Sequence, residues 1–408
     1  MKVQPVIEIS AEMFDAFGLA LLGAGLFYLV FSLWLLLGVH ASRRLRESER
    51  HLHRSGDSIR IDDEMGKAPT VSVIIAARDE AASIACCLNS LSQQDFGGRL
   101  QTIVVDDGST DGTAALAQRF IEHWPHEAGL KVLNAPSPSI HEGPKKSALA
   151  GGIAASEGEL LLFTDADCMP PPGWVSAMVT HFDDPRVGLV AGYADRDARG
   201  LAALIQAVDD LGMGALAEGG IGHGVALSCT GRSLAYRRRI YDEVGGFDAI
   251  GHLISGDDVY FFRHVASESE ALFRYCAEPW AVVTESRLGE SLSARLSQKT
   301  RHASKASRYE GGARWLGVAV YLYHVILAIG LVQVGTGDAR GLFLVVWGLR
   351  WTLDFALMWT FAPRAEDRRR LLYLPFAEFL YIPYVVLLVP VARILGFRWR
   401  HSPPTSSK

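Results

Sequence analysis

Cysteine is scarce and forms no recognisable pattern. Cys86, Cys87, Cys168, Cys229 and Cys276 make an odd five with no C-x-x-C pair. That argues against a disulfide framework or a zinc ribbon and points to reduced, cytosolic thiols. Cys86 and Cys87 are expected on a helix packing surface. The net charge is only -5 over 408 residues. There is thus no global attraction to nucleic acid, and basic residues matter only where they cluster. Formal charge is missing altogether from Ala16 to Ala41, a stretch long enough to span a bilayer with some tilt. The flank just before it is acidic (Glu8, Glu12, Asp15), so the stretch is expected to be an anchor rather than a cleavable signal peptide. Basic residues follow it instead, at Arg43, Arg44, Arg46, Arg50 and Arg54. This puts residues 1–15 outside the inner (cytoplasmic) membrane and the next domain in the cytoplasm.

After a polar linker, Ser55 to Thr70, strand and helix patterns alternate at short spacing. Strands are expected at Val71–Ala77, Leu100–Asp107, Leu130–Ala135 and from Leu160. Helices are expected at Asp79 to about Ser92, with Asp79 or Ser83 as cap, at Asp111 to about His123, and at Lys145–Ala155. Such alternation predicts an α/β domain with a mostly parallel sheet covered on both faces, the nucleotide-binding half of a doubly wound fold.

Acids mark the carboxyl ends of these strands, where open α/β sheets place their ligands. Leu160-Leu161-Leu162-Phe163-Thr164-Asp165-Ala166-Asp167 is an apolar run ending in two carboxylates. In extended backbone both would point to the same side and suit a hard divalent cation carrying diphosphate. Capping of the turn Cys168–Gly173 is the alternative. Ile103-Val104-Val105-Asp106-Asp107 is a second such strand. No G-x-G-x-x-G follows it, which disfavours a dinucleotide site, while an acid there can accept hydrogen bonds from a base or ribose. An Asx-turn and N-cap at Ser109, Thr110 and Asp111 would account for the polar turn that follows. In Gly143-Pro144-Lys145-Lys146 two lysines open a helix against its dipole, a small cost that a bound diphosphate would offset. Ordinary surface charge is the competing explanation.

Four motifs taken together resemble the family-2 glycosyltransferases of GT-A fold: Ala77–Glu80, Val104–Thr113, Gly143–Leu149 and Phe163–Trp174. Downstream, Thr230–Arg238 with Val244–Asp248 is similar to the family's acceptor-side segment. Ser255-Gly256-Asp257-Asp258 resembles its acidic motif with the catalytic base, and Gln298-Lys299-Thr300-Arg301-His302 the Q-x-x-R-W motif of its membrane-bound members. The likeness runs from about Val71 to Tyr309. It implies nucleobase and donor binding by Asp106 and Asp107 with Ala77, Arg78 and Glu80. It further implies Lys145 near the diphosphate, Asp165 at the ribose side and sharing the metal with Asp167, and Asp258 as general base beside Asp257. Gln298, Arg301 and His302 would hold the diphosphate and acceptor region. His302 stands where the membrane-bound family usually has tryptophan, which puts acceptor stacking there in question.

The chemistry agrees with these residue types. Departure of a nucleoside diphosphate leaves concentrated negative charge, which Mg2+ or Mn2+ on Asp167, helped by Lys145 and Arg301, would stabilise. The acceptor hydroxyl must lose a proton, and one carboxylate within about 3 Å suffices. Direct transfer with one base inverts the anomeric centre. The pair Asp257-Asp258 has a plainer explanation in a helix N-terminus favoured by the dipole.

Leu201 to Ser228 is apolar and Gly-rich, expected either against the membrane or acceptor or as core. Basic residues from Arg295 to Arg308 suit anionic headgroups or a solvated face. Three further hydrophobic segments close the chain. Trp315–Thr336 carries no charge. Gly341–Phe361 holds Arg350 and Asp354, spaced to pair on one helix face or to meet a lipid phosphate. Leu371–Phe397, with Pro375, Pro383, Pro390 and Glu378, is expected to be broken or re-entrant. The expected order is a membrane helix at 16–41, a basic juxtamembrane segment and linker at 42–70, a GT-A domain at 71–310, membrane helices at 311–397 and a tail at 398–408. The expected activity is transfer of a sugar from a nucleotide-sugar donor, a UDP-sugar, to a membrane lipid acceptor in single-addition glycolipid synthesis. A processive polysaccharide synthase is the alternative, and a non-catalytic sugar-nucleotide or lipid-binding protein the alternative of another class.

Overall fold

The computed structural model describes residues 16–55, 69–137, 141, 143–197, 200–286, 311–334 and 340–395. The chain divides into two compact units. One takes Met1–Trp34, Glu290–Trp359 and Leu371–Lys408, the other Leu35–Gly289 and Thr360–Arg370.

In the second unit, β1 (Val71–Ala77), β2 (Leu100–Asp106), β3 (Leu130–Asn134) and β4 (Leu160–Phe163) alternate with α2 (Ile84–Ser92), α3 (Thr113–Gln118) and α4 (Pro144–Ala154). Next come β5 (Cys168–Met169), α5 (Trp174–Thr180), β6 (Val187–Gly192), β7 (Ala194–Arg196) and α6 (Leu201–Gly222). Then follow β8 (Leu234–Arg237), α7 (Arg238–Glu243), α8 (Val259–Glu268), β9 (Leu272–Cys276) and β10 (Val283–Glu285). The main sheet has seven strands in the order β3-β2-β1-β4-β8-β6-β9, and β5-β10-β7 form a small second sheet. All neighbours in the main sheet are parallel except β8, which runs antiparallel to both β4 and β6. Residues of β1, β2 and β4 are buried on both faces, as a helix-covered parallel sheet requires. One face packs Val73, Ile75, Val104 and Leu162 against Cys87, Leu88 and Trp174; the other packs Ile103 and Val105 against Ala148. Helix α4 lies so close to the sheet that a Cβ on Gly152 would stand 2.6 Å from Ile74 Cγ2, which only glycine avoids.

Local boundaries differ from the sequence expectations in instructive ways. The helix after β1 starts at Ile84, not Asp79, because Asp79 adopts φ 53 and its carboxylate accepts from Thr110 N at 2.8 Å. Ser83 occupies the N-cap without a side-chain cap bond; its hydroxyl donates to Glu80 Oε2 at 2.7 Å. Helix α3 is shorter than Asp111–His123, and its end is a separate 3-10 turn, Ile121–His123. Strand β4 stops at Phe163, where its ladders with β1 and β8 end at Ile74 and Leu234. Asp165 and Asp167 therefore sit on the following turn, closed by Cys168 N donating to Asp165 O at 3.0 Å, and the extended-strand argument for their common direction does not apply. Cys87 is buried but Cys86 is exposed, so only the former faces the packing surface. Helix α6 is core: Ala207, Leu211, Ala215 and Glu218 are buried.

The first helix, α1 (Ala16–Ser55), continues through the arginine cluster as one element. Within the second unit its Arg46 pairs with Glu218 of α6 at 2.6 Å, and a Cβ on Gly38 or Gly222 would overlap the facing helix backbone. Among the described residues, four helices are long and apolar enough to cross a membrane: Ala16–Ser48, Arg314–Gln333, Arg340–Phe361 and Ala365–Leu387. Within the first unit, Arg350 Nε lies 3.4 Å from both Asp354 Oδ2 and Glu378 Oε2, and Tyr28 donates to Asp354 Oδ1 at 2.5 Å. The charges expected to pair along one helix thus also engage two others. The last segment is one continuous helix, Leu374–Leu395, despite Pro383 and Pro390, rather than a broken one.

Candidate active site

Strand register lines up the acids. Ala77 ends β1 opposite Asp106 of β2, so the two chain exits leave the same edge side by side. Asp106 is buried, and its Oδ2 accepts from Ser109 N at 3.1 Å, forming the Asx-turn. Asp107 N donates to Ala77 O at 2.8 Å, and its carboxylate meets Arg78 Nη1 at 3.2 Å. Burial pushes the Asp107 carboxyl up, and Arg78 only partly offsets this. Glu80 caps locally: its N–H donates to Thr113 Oγ1 at 2.8 Å.

At the next strand exit the chain brings three segments together. Lys145, at the start of α4, has its ammonium 2.6 Å from Asp165 Oδ1 and 3.2 Å from Asp257 Oδ2. Burial opposes charge on Lys145, but the carboxylates of Asp165 and Asp257 outweigh it and hold its pKa above the ordinary lysine range. Burial likewise raises the Asp165 carboxyl, while the Lys145 ammonium overrides that and keeps it below the usual carboxylate range. A Cβ added to Gly231 would lie 3.6 Å from both Asp257 Oδ2 and Lys145 Nζ and 3.8 Å from Asp258 Cβ, so the Thr230–Arg232 turn joins the same cluster. Asp258 caps α8, its Oδ1 accepting from Val259 N at 2.7 Å. The helix-terminus explanation of the Asp257-Asp258 pair is seen at Asp258, which caps α8, while Asp257 faces Lys145. The second lysine is different. Lys146 is buried and donates to Leu253 O and, at 3.3 Å, to Ser255 O, fixing the loop that carries Asp257.

Asp167 stands among acids. Burial, then repulsion from Glu285, Asp165 and Glu80, pushes its carboxyl up to about 8. A group that resists ionising because negative charge has gathered around it fits a cation. Asp165 and Asp167 offer few protein oxygens, which suits Mg2+ or Mn2+, ions that keep waters and substrate phosphate as ligands.

Sequence reasoning missed Arg232 and Glu285. Arg232 reaches Glu285 Oε2 at 2.9 Å and Asp210 Oδ1 at 3.3 Å, while Ser286 N donates to Asp167 O at 2.7 Å and Glu285 pairs with Cys168 in the small sheet. The turn carrying Asp167 thus hangs on β10, and Arg232 fixes β10. An acid closing the short strand Val283-Thr284-Glu285 was the available signal. Asp195, Glu366 and Asp367 also cluster, but Arg370 lies 2.6 Å from Asp195 and 3.0 Å from Asp367, and Arg364 pairs with both. That cluster is an ion-pair clamp rather than a metal centre. Gln298, Arg301 and His302 lie outside the described residues.

Residues 72–245 match the family model described as Glycosyl transferase family 2. These residues form a family 2 glycosyltransferase domain. Among curated proteins, a 205-residue match to Glycosyltransferase AglE of Haloferax volcanii is 30% identical and covers 50% of this chain and 64% of that protein. A 293-residue match to the pre-mycofactocin glycosyltransferase of Mycobacterium tuberculosis is 28% identical and covers 68% of this chain and 55% of that one. The chain therefore spans less than two thirds of either relative. The fold resembles mannosyltransferase PcManGT from Pyrobaculum calidifontis, solved in complex with GDP-Man and Mn2+, at a TM-score of 0.51 and 19% identity over 88% of this chain and 98% of that one. At that identity the likeness speaks for the GT-A-like fold of the glycosyltransferase domain.

Proposed function

We propose that the chain is an inverting glycosyltransferase that moves one sugar from a nucleotide-diphosphate donor, a UDP-sugar, to a membrane lipid acceptor. The observation that carries this reading is Lys145 set between Asp165 and Asp257, with Asp258 next in sequence. A phosphate-seeking cation, the acids after β4 and a candidate base occupy one small region, as direct transfer needs.

Each residue has a task in this reading. Asp107 with Arg78, Ala77 and Asp106 receives the nucleobase, Glu80 shapes that turn, and Asp165 faces the ribose side. Asp167, with Asp165, would hold Mg2+ or Mn2+, which when bound supplies positive charge to the leaving diphosphate. Lys145 adds a fixed ammonium on the same side. Asp258 takes the acceptor hydroxyl's proton as the new C1–O bond forms on the face opposite the departing group. The C1–O bond to phosphate breaks with its electron pair leaving on the diphosphate. Asp257 orients Lys145. Gln298, Arg301 and His302 are proposed for the diphosphate and acceptor on motif grounds.

Four helices of spanning length among the described residues and the arginines that follow the first one support a cytoplasmic glycosyltransferase domain on the inner membrane, with a lipid acceptor entering from the bilayer. Incubating the purified full chain with UDP-sugars or GDP-mannose, Mn2+ or Mg2+ and bacterial lipid extract tests the reading by mass spectrometry. A discrete glycolipid supports it. A polymer would make the chain a processive synthase, and donor binding without turnover would make it a non-catalytic binder.

A further inference from the structure

Beneath the Lys145–Asp165 pair the domain contains a small pocket to which no role has been given. Lys145, Asp165, Gly231 and Asp257 line it together with Thr164 and Tyr236, and it has room for about one water molecule. Lys145 and Asp165 are partly exposed, with side chains at 30% and 32%, so they mark its open end. Thr164 and Tyr236 are 2% and 1% exposed, and neither hydroxyl has a hydrogen-bond partner among the described residues. The Tyr236 ring is firmly placed, stacked on Phe163 at 4.6 Å and packed against Phe261 at 4.8 Å. Burial, with Tyr241 and Asp257 adding to it, raises the phenol well above its ordinary range, so it remains a neutral donor.

A buried hydroxyl left unpaired destabilises a fold, and a fold seldom retains two such groups lining one pocket without something to bond them. An oxygen placed in this pocket would lie among the residues that carry these two hydroxyls, two carboxylates and an ammonium. That is enough for a group that both donates and accepts. We propose that Thr164 and Tyr236 form a hydroxyl subsite that takes one oxygen, either a hydroxyl of the donor sugar or a single ordered water. The sugar source rests on the function proposed above; the water source does not. In the first case the subsite sets donor specificity, because a substituent as large as an acetamido group at that position exceeds a one-oxygen pocket. In the second it is a fixed water that supports Lys145 and Asp257 from below.

Three substitutions test this in the full-length protein. Tyr236→Phe keeps the ring and removes the hydroxyl, and Thr164→Val does the same on the other wall. Gly231→Ala adds a methyl at the open end with only ordinary contacts of 3.6 to 3.8 Å. Binding of UDP and of a set of UDP-hexoses is measured with Mn2+, and Tm is measured without nucleotide. If the oxygen belongs to the sugar, Y236F and T164V each weaken UDP-hexose binding about fivefold. UDP binding stays unchanged, and G231A lowers the same ratio. If the oxygen is water, Y236F lowers Tm by about 3 °C in the absence of any nucleotide. Removing a hydroxyl that truly bonds nothing should instead stabilise the fold. An unchanged or raised Tm in Y236F and T164V, with the UDP-hexose to UDP ratio unmoved, overturns the subsite. Wild-type protein that binds no sugar nucleotide would count against the proposed function and the sugar source, and the Tm comparison would then decide the subsite by itself.

Discussion

Lys145 Nζ stands 2.6 Å from Asp165 Oδ1, an ion pair between the first turn of a helix and the turn after a strand. It carries a consequence for donor binding. Lys145→Ala should weaken UDP-sugar binding about 10- to 100-fold, the loss of a charge-assisted contact to the diphosphate, and lower turnover further. Lys145→Arg should restore part of the binding. Titration calorimetry of both variants checks this, and wild-type affinity in the alanine variant would remove Lys145 from the donor site.

Asp258→Asn should cut transfer by roughly 100-fold or more while UDP affinity stays near wild type. Asparagine caps a helix about as well as aspartate, so α8 should persist and the loss can be read as the loss of a base. Wild-type turnover in this variant would assign proton removal to another group.

Chelation should abolish transfer and weaken UDP-sugar binding, with Mn2+ or Mg2+ restoring both. Asp167→Asn should lower the metal response by roughly 100-fold, read as the metal concentration that gives half-maximal turnover. Full activity in excess chelator would contradict the role proposed for Asp167.

Nucleotide binding should also respond to acid. Burial raises the Asp107 carboxyl above its ordinary range, so on lowering the pH it takes up a proton before an unperturbed aspartate does. If its ionised form accepts from the nucleobase, UDP affinity falls as the pH drops through that raised value and is fully present above it. In Asp107→Asn the dependence over the same window should flatten. An identical pH profile in both proteins would exclude Asp107 as the titrating group.

Arg232→Met should be costly for stability. It strips a buried partner from both Glu285 and Asp210, and breaking a buried ion pair from one side costs about 3–5 kcal/mol, equivalent to a fall in Tm on the order of 10 °C. Glu285→Gln in the same background should recover part of the loss, since it removes an acid left without its arginine. Thermal unfolding of the single and double variants decides this, and additive losses would show that the two side chains act independently.

Much of the sheet could be read from the chain. The strands at Val71, Leu100 and Leu160 declare themselves because a strand buried on both faces must be almost wholly apolar, whereas the edge strand at Leu130 is only partly buried. Helix starts were harder to place, since a local polar residue can either cap a helix or bond across to another turn. Asp79 does the latter, with Thr110, and nothing in its own neighbourhood shows the choice. The proline-bearing segment near the end illustrates the same limit: Pro383 and Pro390 suggest a break, yet the helix runs through both.

By itself the sequence determined which stretches bury themselves, which are apolar enough to span a bilayer, and that acids come soon after the apolar runs ending at Val105 and Phe163, because these follow from periodicity and composition within a few residues. Only the tertiary structure decided that Lys145 meets both Asp165 and Asp257, that Lys146 instead ties down the loop at Leu253, and that Arg232 and Glu285 brace the turn bearing Asp167. Those pairings join residues far apart in the chain. They depend on strand order and on which neighbour supplies the opposite charge, and no local pattern encodes either.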